Sequence, residues 1–210
     1  FLKFVSMGAL GTRQFITYMT SLGYEPIELE RYCGSNKIWT TKVKRLRLPD
    51  VVCARTGIRI EVRAKSDLKI RMSDSPARPW DGPLRDDDLC AFIQCSGDED
   101  NLRVSECPSI FRVRDLRATV ALSKLGPPKS ASEGAERDRE WASTLAGQDG
   151  IVEAVSAEKI IVAFDSGRRQ TYQLKGKTPY VAIGDRVKGG ETLLASIVPS
   201  IVRLNVITES

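Results

Sequence analysis

A short stretch of strict alternation near residue 60 is the feature that most restricts how this chain folds. From Ile58 to Lys65 the order is Ile-Arg-Ile-Glu-Val-Arg-Ala-Lys, so apolar and charged residues take turns. Successive side chains of a β-strand point to opposite faces, and the segment therefore predicts a strand with one apolar and one charged face. A β-branched run ends just before it, and Arg55-Thr56-Gly57 can turn the chain between the two. The two runs together predict a β-hairpin.

The hairpin brings charged residues of both strands together. The charged face of the second strand consists of Arg59, Glu61, Arg63 and Lys65. Asp50 follows Pro49 in the first strand, and a turn near Arg55 to Gly57 brings its carboxylate to the same edge as that of Glu61. Two close carboxylates repel, and a divalent cation relieves the repulsion. The pair therefore predicts a metal site with Asp50 and Glu61 as ligands. An ammonium or guanidinium group on the Glu61 face would stabilise the negative charge that develops on a phosphate during hydrolysis.

The surrounding elements can be predicted from periodicity and turn residues. Apolar residues recur at helical spacing over residues 12–23, and Gly23 stands where a C-terminal cap would lie. Residues 73–88 are rich in Pro, Gly and Asp and predict a loop. The apolar run Leu-Cys-Ala-Phe-Ile-Gln-Cys that follows predicts a buried strand.

Residues 10–120 resemble the PD-(D/E)xK nuclease superfamily in these motifs and in their order: helix, basic strand, Pro49-Asp50, the strand with Glu61, and a further strand. The resemblance implies an α/β fold with a mixed sheet and hydrolysis of phosphodiester bonds in DNA. It also implies that Mg²⁺ or Mn²⁺ is held by Asp50 and Glu61. Arg63 stands where the family usually has Lys, and a guanidinium does not give up its proton at working pH. Three alternatives stay open: Lys65 takes the Lys role, Arg63 acts by charge alone, or the site is inactive.

Composition narrows the chemistry further. The 210 residues include no histidine, which excludes mechanisms that need imidazole as a base or a ligand. The net charge of +5 permits nucleic-acid binding. Basic residues are concentrated in the segment just before Asp50. They predict either a surface that contacts phosphate or an edge strand protected by charge. The predicted nucleic-acid-binding residues are Lys42, Lys44, Arg45 and Arg47.

The C-terminal part of the chain differs in character. Residues 126–147 are rich in small and polar residues and predict a linker, in which Ser130 and Glu133 can open a short helix as a capping box. In residues 148–210, the sequence alternates in the manner of β-strands that are joined by tight turns. This pattern predicts an all-β module. This module resembles the barrel-sandwich hybrid fold, especially the version in the bacterial RNA polymerase β subunit. The lysine contexts that carry lipoyl or biotin are absent, so a docking or spacing role is expected.

These observations predict an α/β nuclease-like domain over residues 1–125, the linker over 126–147 and the small β domain over 148–210. The predicted function is a metal-dependent DNA endonuclease, in the role of a restriction or defence component. Two alternatives stay open: a nuclease-like protein that binds nucleic acid without cutting it, and a structural module of a larger nucleic-acid machine. DNA is the expected partner, and a homodimer or a larger complex is left open.

The expected compartment is the cytoplasm. The five cysteines form no Cys-x-x-Cys pair and are odd in number, which favours a reduced protein. No stretch approaches the roughly 20 apolar residues that span a bilayer, so no membrane partner is expected. The initial Phe1 leaves open whether the chain is a piece of a longer polypeptide.

Overall fold

A computed structural model of the chain describes residues 2–29, 49–82, 84–97 and 101–207. Within these residues the helices are α1 (Leu2–Ser21) and α2 (Val113–Ala118). The strands are β1 (Pro26–Glu28), β2 (Val51–Cys53), β3 (Arg59–Lys65), β4 (Ile70–Asp74), β5 (Leu89–Ser96), β6 (Arg103–Val104), β7 (Ser109–Arg112), β8 (Lys124–Leu125), β9 (Arg137–Trp141), β10 (Ser143–Leu145), β11 (Gly150–Val155), β12 (Lys159–Phe164), β13 (Arg169–Gln173), β14 (Thr178–Pro179), β15 (Arg186–Val187) and β16 (Leu193–Ser196). In the part described, no helix has both the length and the apolar character needed to cross a bilayer.

The chain divides into two units. The first unit consists of Phe1–Ser66, Arg78–Arg114 and Val202–Ser210, and the second of Asp67–Ala77 and Asp115–Ile201. The first segment of the second unit, Asp67–Ala77, therefore lies between β3 and β5 in sequence. These boundaries differ from the division at residues 125 and 148 that composition suggests, because each unit draws on segments distant in sequence.

The first unit is built on a six-stranded mixed sheet. Strands β1, β2 and β3 pair antiparallel in succession, and β5 lies parallel to β3. Strands β6 and β7 pair antiparallel with β5. The pairing of β2 with β3 confirms the hairpin predicted from the alternating residues, and β5 confirms the buried strand predicted after the loop.

Helix α1 packs on the apolar face of this sheet. The buried core contains Phe15, Met19, Tyr24, Val51, Cys53, Ile60, Val62, Leu89, Ala91, Ile93 and Ile110. Phe15 and Met19 lie on one side of α1 because they are four residues apart, and Ile60 and Val62 lie on one face of β3 because they are two apart. Gly23 follows the helix with a φ of 83°, which confirms the predicted cap. The helix begins at Leu2, ten residues earlier than its apolar pattern indicated.

A glycine sets how closely α1 approaches the sheet. A Cβ atom on Gly11 would lie 2.6 Å from the Cβ of Ala64, whereas one on Gly8 would meet nothing within 4 Å. We expect Gly11→Ala to lower the free energy of unfolding by about 1–3 kcal/mol, because two methyl groups cannot occupy that space without a shift of the helix. The matched variant Gly8→Ala should raise it by about 0.5–1 kcal/mol through helix propensity. Urea unfolding of both variants checks the prediction, and stabilisation by both would contradict the close packing.

The predicted α/β class is wrong. Strands make up 39% of the structure and helices 14%, and only two helices occur in the described residues, so the fold is mostly β rather than a PD-(D/E)xK-type α/β fold. An α/β fold needs helices that connect its parallel strands and cover its sheet. The described part of the connection between the parallel strands β3 and β5 holds β4 and loops. Pro76 and Pro79 in this connection oppose a continuous helix, because proline lacks the N–H that a helix interior uses.

The second unit consists of three small sheets. Their strand orders are β13-β12-β11-β15, β10-β16-β14 and β4-β9-β8. The first two enclose a core that includes Val152, Ile160, Val162 and Leu194. The segment 126–147, predicted as a linker with a short helix, instead contributes β9 and β10. Strand β9 forms because its charged residues find partners on β4, as in the ion pair of Arg71 with Glu140.

Candidate functional site

The hairpin of β2 and β3 brings Asp50 and Glu61 together. In this pairing Val51 lies opposite Ile60 and Val52 opposite Arg59. Asp50 directly precedes β2, and Glu61 directly follows Ile60, the partner of Val51, so both residues adjoin the same paired position. A hydrogen bond supports the placement, because the backbone N–H of Val62 donates to Oδ2 of Asp50 at 2.7 Å. The carboxylate of Asp50 thus lies against the peptide that follows Glu61.

Glu61 is a buried carboxylate with an arginine beside it. Only 7% of the residue is exposed. Nη2 of Arg63 forms an ion pair with Oε1 of Glu61, and 37% of the Arg63 side chain is exposed. The two residues are two apart on one strand and therefore share a face. The guanidinium supplies the positive charge that a buried carboxylate requires.

A second ion pair lies on the same face at the start of β3. Ile60 pairs with Leu89 in the parallel register, so Arg59 lies beside Asp88. Nη2 of Arg59 is 3.3 Å from Oδ2 of Asp88, which is buried and also accepts a hydrogen bond from the backbone N–H of Arg85. The sequence suggested a loop feature or a helix start for Asp88, and Arg59 was not among the predicted site residues. A local pattern does not reveal this pair, because it depends on the parallel pairing of β3 with β5.

Cys90 lies between these charged groups without being reactive itself. It pairs with Glu61 in the register of β3 and β5, and its side chain is fully buried. Burial raises the pKa of the Cys90 thiol, and the charge of Glu61 raises it further, against the opposing charge of Arg63. Asp88 and Asp50 also raise this pKa, so both carboxylates lie close enough to act on the same sulfur. The thiol stays protonated near neutral pH and is no nucleophile.

These five charged residues form one cluster, which we call the β3 charge cluster. Its members are Asp50, Arg59, Glu61, Arg63 and Asp88. Among the described residues the cluster contains three carboxylates and two guanidiniums. Carboxylate oxygens are ligands that a hard cation prefers.

Lys65 lies further along the same strand. It is half-buried and pairs with Gln94 in the register of β3 and β5. Four residues of strand separate its Cα from that of Glu61 by roughly 13 Å. Arg63 contacts Glu61 through an ion pair. The structure therefore brings Arg63 to the predicted pair and leaves Lys65 on the same face at a greater distance.

The predicted nucleic-acid surface lies outside the described residues. Its members are Lys42, Lys44, Arg45 and Arg47. Their contact with phosphate stays a prediction from the sequence.

The donor set fits a magnesium ion held by few protein ligands. In the described part of the chain, no group of three or more His, Cys, Asp or Glu side chains is arranged to hold a metal ion. Mg²⁺ keeps several of its waters and is commonly bound by one or two carboxylates together with substrate phosphates. A carboxylate accepts about four hydrogen bonds or coordinate bonds. Asp50 and Glu61 are the residues that would hold the ion.

No protein-family model matches the chain, and the curated proteins contain no match either. The likeness to the nuclease superfamily and to the polymerase module stays a prediction. The β3 charge cluster holds the geometry and charge on which the proposed function rests.

Proposed function

We propose that this chain is a metal-dependent DNA endonuclease that hydrolyses phosphodiester bonds with Mg²⁺ or Mn²⁺ held by Asp50 and Glu61. The observation that carries the proposal is the position of the Asp50 carboxylate, whose Oδ2 accepts a hydrogen bond at 2.7 Å from the backbone N–H of Val62, the residue that follows Glu61. The proposal rests on this site and not on an α/β nuclease fold.

Each residue of the site has a distinct task. Asp50 and Glu61 would hold the cation, and the backbone N–H of Val62 holds Asp50 in place. A bound divalent cation would supply an activated water and neutralise charge on the scissile phosphate. Arg63 adds a fixed positive charge next to the reacting group but cannot exchange its proton. Lys65 is the candidate for proton transfer, because the pKa of an amine can shift towards neutrality.

Metal dependence tests the proposal directly. We expect the purified chain to cleave duplex DNA when Mg²⁺ or Mn²⁺ is present and to lose all cleavage when a chelator is added. The physical reason is the absence of histidine, which leaves no imidazole to activate water at neutral pH. Gel analysis of a labelled duplex measures the product, and restored cleavage after the metal is returned in excess serves as the control. Cleavage that persists in chelator would contradict the proposal.

One observation favours a second candidate function, in which the chain binds nucleic acid without cutting it. Arg63 occupies the position where a nuclease of this kind usually has Lys, and it already pairs with Glu61. A site neutralised in this way binds phosphate by charge and needs no metal. DNA binding that is indifferent to Mg²⁺, with no cleavage under any metal, would support this second function over the first.

The partner and the compartment belong to the same proposal. DNA is the proposed partner, because its phosphodiester bonds are the substrate of the proposed reaction. The mild basic excess of the chain is compatible with binding to phosphate. A cytoplasmic location agrees with buried cysteines that stay reduced, such as Cys53, Cys90 and Cys95.

A further inference from the structure

We propose that the chain forms a symmetric dimer through strand β13 (Arg169–Gln173). In this dimer β13 pairs antiparallel with β13 of a second copy, so that the sheets of order β13-β12-β11-β15 in the two copies join into one continuous sheet. The partner at this sheet edge is therefore a second copy of the chain. The inference uses residues of the second unit and does not depend on the metal site.

Strand β13 forms the edge of its sheet within the described residues and presents backbone groups on its outer side. At one end of the strand, the N–H of Leu174 donates to the carbonyl of Glu158. At the other end, the carbonyl of Arg168 accepts a hydrogen bond from the N–H of Phe164. Backbone groups of successive residues alternate between the two sides of a strand, so every second residue between these ends directs its N–H and C=O away from β12. These outward-facing residues, all with exposed side chains, are Arg169, Thr171 and Gln173.

The other edge strands in the described part of the two sheets that enclose the core of this unit are short or irregular. Strands β14 and β15 have two residues each, and β14 contains Pro179. Strand β10 has three residues, and its register shifts between Thr144 and Leu145. Short length, proline and irregular register keep a sheet edge from pairing with another strand. Strand β13 has five residues, a regular register and no proline, and it is the edge best suited to pairing.

The sequence of β13 is complementary to a second copy of itself. A twofold axis at Thr171 sets this residue opposite its own copy and sets Arg169 opposite Gln173. Two threonines form a favourable cross-strand pair, and a guanidinium can donate to the amide oxygen of a glutamine. None of these pairs sets like charges opposite each other, which would oppose self-association. The contact uses the same surface on both copies and therefore closes at a dimer.

Sedimentation of the full chain at increasing protein concentration tests the dimer. We expect a reversible equilibrium between monomer and dimer with a dissociation constant on the order of 1–100 µM, because one pair of short strands is at the small end of protein interfaces. Thr171→Pro should weaken the dimer at least roughly tenfold, since it removes the outward N–H at the centre of the contact. That N–H does not serve the pairing with β12, so circular dichroism should show a folded variant. Thr171→Val is the matched control, which keeps the N–H and should dimerise as the wild type does.

Two charge variants test the register. Thr171→Lys and Thr171→Glu each set like charges opposite one another, so each variant alone should dimerise at least roughly tenfold more weakly than the wild type. An equal mixture of the two should recover a dimer, because an ammonium group then faces a carboxylate. The control is the same pair of substitutions at Thr17, an exposed threonine of α1, which should leave the dimer unchanged.

The outcomes decide the proposal. A concentration-dependent dimer that is lost in Thr171→Pro and recovered in the mixture of charge variants would support it. A wild type that stays monomeric up to about 0.5 mM would overturn it, and so would a Thr171→Pro variant that dimerises as tightly as the wild type. Association beyond a dimer would also contradict it, because a twofold contact closes at two copies. If Thr171→Pro does not fold, the charge variants decide, and a mixture that stays monomeric would overturn the pairing.

Discussion

Glu61→Gln is expected to reduce metal-dependent DNA cleavage by roughly a thousandfold, which corresponds to about 4 kcal/mol of transition-state free energy. Glutamine keeps the shape of the side chain and removes the charge that holds a divalent cation, so the ion is left with Asp50 alone. Asp50→Asn should cause a loss of the same order from the opposite strand. Initial rates on a labelled duplex at several Mg²⁺ concentrations measure both effects.

The control for this prediction is Glu153→Gln. Glu153 is also a strand glutamate paired with an arginine, but it lies in the second unit. Its removal should leave the cleavage rate within about twofold of the wild type, because an exposed ion pair contributes little. Wild-type cleavage by Glu61→Gln, in a sample free of contaminating nuclease, would refute the assignment of Glu61 as a metal ligand.

Trp141→Ala is expected to lower the free energy of unfolding by about 3–5 kcal/mol, the largest stability effect we predict. Trp141 is fully buried, pairs with Ile70 in the sheet of β4 and β9, and donates its indole N–H to the carbonyl of Leu116 at 3.1 Å. The substitution leaves a large cavity and removes the indole hydrogen bond, while the carbonyl of Leu116 still accepts hydrogen bonds from the backbone N–H and the hydroxyl of Thr119. Urea unfolding followed by circular dichroism measures the change.

Two further variants separate the causes of that loss. Trp141→Phe keeps most of the ring volume and removes one hydrogen bond, while the carbonyl of Leu116 keeps its bonds from Thr119, so it should cost about 0.5–1.5 kcal/mol. Leu122→Ala is a control at a side chain that is 66% exposed, and its effect should stay within about 0.5 kcal/mol. An equal effect of Trp141→Ala and Leu122→Ala would show that β9 does not anchor the second unit.

Local patterns were enough to predict the elements that hold the candidate site. The alternation from Ile58 to Lys65 requires one face to be apolar, and that face is buried under α1 in the structure. A hairpin with a short turn fixes which residues lie opposite each other. The neighbourhood of Asp50 and Glu61 was therefore predictable from their spacing around the turn.

Pairings between distant segments were not predictable in this way. Asp88 joins the cluster only because β5 lies parallel to β3, and residues 66–88 separate the two strands in sequence. The contact of Arg63 with Glu61 also depends on side-chain placement, since the charged face offers Lys65 as an alternative cation. The choice between the two is made by packing and distance in the folded sheet.

The class of the fold and the division into units also depend on contacts between distant segments, which local patterns do not predict. Strand β9 has the sequence Arg-Asp-Arg-Glu-Trp, which carries no apolar alternation and resembles a polar linker. It becomes a strand because β4 offers opposite charges across the pairing, as between Asp74 and Arg139. The amino-acid sequence thus specified the hairpin and its two carboxylates through periods of two residues and a turn. The mostly β fold, the place of β9 and the partner of Glu61 arise from contacts between segments far apart in the chain, whose energies no local pattern contains.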